Sequence, residues 1–119
     1  MEKRTFNSGG KFLWFFQRLS GFVLLLLLLL HTYISHFTFQ GGAPTYSEVM
    51  TRLGDPYWKL FDLLFLYLAL FHGLNGLWTV LTDYFHKPFA KLAFFSLITL
   101  GGLMLLIFGT ITVISLPSY

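Results

Sequence analysis

The chain has no cysteine among its 119 residues, so it can supply no disulfide, thiolate zinc site or iron–sulfur ligand. Any redox centre it holds is ligated through His, Met or Tyr. Charge is also scarce: charged residues make up 11% of the chain, and the net +3 is too small and too dispersed for nucleic-acid binding. By contrast, 55% of the residues are hydrophobic and 20% are aromatic. A soluble domain of this size has no interior large enough to hide them. The predicted fold class is therefore all-α and integral to a lipid bilayer. Three apolar stretches can each cross a hydrocarbon core of about 30 Å, which takes roughly 20 helical residues. The first is too long for a cleaved signal peptide, its distal flank carries His31, Tyr33 and His36, and no small-residue cleavage site follows.

The chain reads as one transmembrane domain over residues 1–119, with a short inner-face segment over residues 1–11. The first helix is expected from about Phe12 to Phe39. The second starts at Pro56, a residue suited to a first helical turn, and runs to about Phe85. The third starts at Pro88 and ends before Pro117. The loop from Gln40 to Asp55 is broken by Gly41, Gly42, Pro44 and Gly54. Its part from Thr45 to Leu53 can form a short interfacial helix capped by Thr45 or Ser47. The second connection is so short that the last two helices must form an antiparallel hairpin.

Lys3, Arg4, Lys11 and Arg18 lie at or near the start of the first span, and Lys87 and Lys91 flank the second connection. The first loop holds only Arg52, with Lys59 just beyond it, and the C-terminal tail has no base. The positive-inside rule puts the N-terminus and the second connection on the cytoplasmic side and the C-terminus outside. Arg18, Asp83, Tyr84 and His86 are then expected to gather at the inner face. A bacterial or archaeal plasma membrane is expected rather than a mitochondrial one, because no Arg-rich transit segment precedes the first helix.

Ionisable residues inside spans are costly and usually face a bundle interior. His72 precedes Tyr84 by 12 positions, which puts it about 18 Å deep, and His31 lies roughly 20 Å from the inner end of its helix. Either histidine alone is explained by a hydrogen bond to a neighbouring helix. The surroundings of His72 point further. His72, Gly76, Thr79 and Asp83 share one helix face. Gly73 and Gly76 remove bulk beside the imidazole, so a flat macrocycle can approach the backbone; close helix–helix packing also accounts for the glycines, and the two readings are compatible. A midplane imidazole in this setting is a candidate haem ligand. If His31 and His72 serve haems at different levels, a partner chain must supply each second ligand. His36 is expected at the outer interface and His86 in the inner connection. At the inner face, Arg18, Asp83 and Tyr84, with Trp14 and Trp78 nearby, can receive a quinone, or else form an ordinary aromatic belt with snorkelling cations.

The string from His72 through Gly76 and Trp78 to Asp83-Tyr84 resembles the second-helix motif of the membrane anchor subunits of succinate dehydrogenase (complex II). That motif has a haem-ligating His, a Gly four residues on, and Asp-Tyr at the cytoplasmic end. The resemblance implies that Tyr84 hydrogen-bonds ubiquinone or menaquinone and that Asp83 pairs with an Arg of the first helix. Gln17-Arg18-Leu19-Ser20-Gly21 resembles the Arg-x-Ser-Gly entry motif of the companion anchor, whose Arg helps form the quinone site. It departs from that motif in having Gln17 in place of His and Trp14 in place of the quinone-site Ser. The interval from Gly21 to His31, followed by Thr32-Tyr33, resembles the di-haem anchors of the fumarate reductase branch, where the corresponding His ligates the distal haem. The string from His72 to Leu77 resembles their proximal-haem motif.

The resemblance covers the first two helices, and the third carries no motif. It implies an anchor that forms a larger haem-containing helix bundle with a second anchor subunit. His72 would ligate a proximal haem b with Gly76 packing on it, and His31 a distal haem b. Arg18, Asp83 and Tyr84 would border the quinone. The implied partners are a flavoprotein, an iron–sulfur subunit and the second anchor, so the dicarboxylate chemistry lies outside this chain. An anchor with a single haem is the nearest rival. A small transporter or proton-relay subunit is another; it requires a polar stripe across the membrane, which the run from Leu24 to Leu30 opposes. A bare structural anchor is a third.

Overall fold

The computed structural model describes residues 8–38 and 42–117. Lys3, Arg4, Phe39, Gln40 and Gly41, which the sequence reading used for orientation and for the first loop, lie outside the described residues. Within them are four helices: α1 (Ser8–Thr38), α2 (Tyr46–Gly54), α3 (Pro56–Tyr84) and α4 (Pro88–Ser115). Three are long and apolar enough to cross a membrane: Gly10–Phe37, Pro56–Tyr84 and Pro88–Ser115.

The helix ends follow local chemistry. α1 begins at Ser8, four residues before the expected start at Phe12, because the apolar run marks where the lipid begins and not where helical hydrogen bonding begins. Thr45, not Ser47, caps α2. Its Oγ1 accepts from the Glu48 backbone N–H at 3.4 Å, while the Glu48 carboxylate accepts from the Thr45 backbone N–H at 2.7 Å. Asp55 then closes α2 and opens α3, its Oδ1 accepting from the Tyr57 N–H at 2.8 Å with Pro56 in the first turn. Pro88 likewise stands in the first turn of α4, which has no side-chain cap, and Pro117 disfavours helix at Leu116.

The molecule is a rod of 60 × 26 × 24 Å in which α3 touches all three other helices. α3 and α4 form the expected antiparallel hairpin. Gly109 lets Leu66 lie against α4, where a Cβ would fall 2.7 Å from its Cδ2. The Tyr67 hydroxyl meets Thr110 Oγ1 at 3.1 Å, and Lys59 Nζ donates to the Leu116 carbonyl at the end of α4. Among the described residues no hydrophobic side chain is fully buried, whereas Ser20 is 1% exposed. The arrangement suits lipid, which solvates apolar side chains but leaves polar ones to find partners inside the bundle.

Two polar clusters around the intramembrane histidines

The first cluster joins α1 to α3 around His72. The His72 Nδ1 lies 3.1 Å from the Gln17 carbonyl and 3.2 Å from Ser20 Oγ, and Ser20 Oγ itself donates to the Gln17 carbonyl at 3.0 Å. A carbonyl can only accept, so this geometry puts the imidazole proton on Nδ1 and leaves the lone pair on Nε2. The Gln17 side chain completes the joint. Its Nε2 donates to the His72 carbonyl at 3.1 Å, and its Oε1 accepts from Asn75 Nδ2 at 2.8 Å. Gly21 permits this approach, since a Cβ there would fall 2.8 Å from His72 Cε1. The room beside Gly76 is taken by Gln17, whose Nε2 would be 3.3 Å from an added Cβ; the open glycine next to the histidine is Gly73.

The second cluster surrounds His31, whose ring stacks with those of Phe61 and Phe65 at centroid distances of 6.2 and 6.0 Å. Arg52 reaches in from α2. Its guanidinium donates to His31 Nδ1 at 3.1 Å, to Ser35 Oγ at 3.2 Å and to Asp62 Oδ1 at 3.2 Å, and it lies 4.3 Å over the Trp58 ring. Arginine has no acceptor, so here Nδ1 must offer its lone pair and the proton sits on Nε2. The two histidines are thus held in opposite tautomers, about 15 Å apart along α1. His36 is exposed against Phe37, and His86 is exposed in the connection between α3 and α4.

The expected gathering of Arg18, Asp83 and Tyr84 does not form within this chain. The pairing of Gln17 with Asn75 and of Ser20 with His72 sets Arg18 level with Leu74, about 13 Å short of Asp83 along the helix axis. Arg18 bends back over Trp14, its guanidinium carbon 3.8 Å from the ring centroid. Arg52 pairs with Asp62, whereas Arg18 does not pair with Asp83. Asp83 and Tyr84 are exposed, Tyr84 to 77%, and Trp78 packs on Phe95 of α4.

Gln17, Asn75, Arg52 and Asp62 were not singled out from the sequence as partners of the histidines. A signal was available for Asp62 and Asn75, which are polar residues deep in an apolar span and therefore need partners. Arg52 gave none, because a loop cation carries no mark of the helix it will reach.

These features define a class: a multi-pass, all-α membrane protein with two polar clusters between its helices, each built around a histidine. The pattern of the succinate dehydrogenase/fumarate reductase transmembrane subunits matches residues 6–116, and the chain belongs to that family. It is similar to the succinate dehydrogenase hydrophobic membrane anchor subunit of Thermoplasma acidophilum, with 34% identity over 82 residues, 69% of this chain and 64% of that relative. It also resembles the subunit of the same name from Archaeoglobus fulgidus, with 33% identity over 96 residues, 81% of each chain. The chain therefore spans a little under two thirds of the length of the first relative.

Proposed function

We propose that this chain is a membrane anchor subunit of a succinate:quinone oxidoreductase, carrying haem b on His72 and part of the quinone site. The reading places a flavoprotein and an iron–sulfur subunit on the inner face, with the N-terminus cytoplasmic. A second anchor subunit completes the bundle, and menaquinone or ubiquinone is the electron acceptor.

The observation that carries it is the hydrogen bond between His72 Nδ1 and the Gln17 carbonyl, which readies Nε2 for a metal. Among the described residues no three His, Cys, Asp or Glu side chains converge on a bare ion, but a haem would ask only one nitrogen of this chain, that of His72. When bound, haem takes up and releases one electron at its iron. Nothing lies within 4 Å of a Cβ added at Gly73, the residue after the histidine, and Gln17 holds the backbone of His72. For the quinone, the Tyr84 hydroxyl supplies a donor to a carbonyl oxygen; the Arg18 guanidinium, which lies over Trp14, joins it only by moving toward the Tyr84 end of α3. Asp83 carries the charge beside Tyr84, and the partner anchor closes the site.

A distal haem b on His31 is the two-centre form of the same reading. It requires Arg52 to leave Nδ1, because the tautomer that Arg52 imposes protonates the nitrogen a haem would need. A redox titration of the purified complex, counting haem b per flavin, tests both forms. With His72→Ala one haem is expected to disappear. A wild-type count of one that survives His31→Ala assigns His31 to the Arg52 cluster; a count of two with one lost on His31→Ala assigns it a haem. No haem in the wild-type complex overturns the cofactor reading.

A further inference from the structure

The hydrogen bonds around His72 do more than join two helices. The ring is gripped at Nδ1 by two oxygens, the Gln17 carbonyl and Ser20 Oγ, and the backbone of the same residue is gripped by the Gln17 side chain. Asn75 holds that side chain in turn, accounting for the second atom of its amide. Ser20 is the most enclosed side chain described, at 1% exposed. Its hydroxyl proton is directed to the Gln17 carbonyl, which leaves its lone pairs to the imidazole. A buried hydroxyl oriented in this way is a fixed acceptor.

We infer that Ser20 and Gln17 are positioning residues that set the orientation and donor strength of His72, and through it the potential of the haem it would hold. The inference rests on the haem reading of His72. Its physical basis is that donation from Nδ1–H raises electron density at Nε2. A more basic imidazole favours ferric over ferrous iron and so lowers the midpoint potential. Removing one of the two acceptors weakens the donation and moves the potential up. Removing the Gln17 side chain loosens the backbone of His72 without taking away the carbonyl acceptor, so it should spread ring orientations more than it shifts their mean.

The test uses the whole purified complex and reads haem content, midpoint potential and the low-spin ferric electron paramagnetic resonance signal. Ser20→Ala is expected to keep its haem and shift the potential upward, and Ser20→Thr, which restores a hydroxyl, to return it toward the wild-type value. Gln17→Leu is expected to keep the haem with a broadened ferric signal. Ser20→Cys, close to serine in size with a weaker acceptor, is expected to give a smaller upward shift and serves should the alanine variant fail to assemble. Wild-type potentials in the haem-loaded Ser20 variants overturn the positioning role and leave the haem assignment standing. A haem count that His72→Ala leaves unchanged overturns the assignment beneath it.

Discussion

A histidine in a membrane span has two ring nitrogens and few partners, so the chemistry of its neighbour decides what it can do. His72 faces a carbonyl and His31 faces a guanidinium, and the two rings are held in opposite tautomers for that reason. Gly21 matters at the same scale. Imidazole is rigid and held at Nδ1, so it has no flexible end to yield to a Cβ placed 2.8 Å from Cε1. Gly21→Ala is therefore expected to part α1 from α3 at this level, costing about 1–3 kcal/mol as overpacking does elsewhere. Thermal unfolding in detergent should show a lower midpoint. Gly101→Ala is the control, since nothing lies within 4 Å of a Cβ there, and it should be neutral or slightly stabilising through helix propensity.

Among the elements, α2 is the one that depends most on its cap. It has nine residues, too few for stability by hydrogen bonding alone, and the reciprocal bonds between Thr45 and Glu48 fix its first turn. Thr45→Ala should weaken it by about 1 kcal/mol, seen as roughly fivefold faster hydrogen exchange at its amides. Hydrogen bonds from the Thr45 side chain and then its backbone hold the Glu48 carboxyl below its usual range. A depressed folded-state value means that the contribution is fully present above the ordinary value of 4.5 and is lost as pH falls through the lower folded one. Exchange protection in α2 should drop on acidification through that window, and Glu48→Gln should flatten the response. The long helices behave differently. Proline placement announced the starts of α3 and α4, and Asp55 joins α2 to α3 with a single side chain.

At the scale of the molecule, lipid turns the usual arrangement inside out, and polar contacts sit where a soluble protein has its apolar core. Arg52 ties α2 to α1 through His31 and Ser35, and to α3 through Asp62 and Trp58. Its side chain and that of Asp62 are only 16% and 18% exposed. Deleting one member of such a pair strands the other charge, at a cost of about 3–5 kcal/mol when burial is complete. Asp62→Ala is expected at the low end of that range, because each side chain keeps some exposure. The thermal midpoint of the complex should fall, and Arg52→Leu combined with Asp62→Leu should recover much of the loss, since replacing both charges removes the stranded one.

The amino-acid sequence by itself determined the class, the three spans and the spacing of both histidines along their helices. Those depend on local hydrophobicity and on a fixed rise per residue, neither of which needs a neighbour. The strings at His72 and Gln17-Arg18 carried the family resemblance, which the match over residues 6–116 bears out. Only the tertiary structure decided what each histidine faces. The register of α1 against α3 puts Gln17 rather than Arg18 beside Asn75 and keeps Arg18 away from Asp83. It also brings Arg52, a residue of the first loop by sequence, to His31. Helix register is settled by how side chains and glycines interlock across two surfaces, and periodicity within one helix carries no record of that fit.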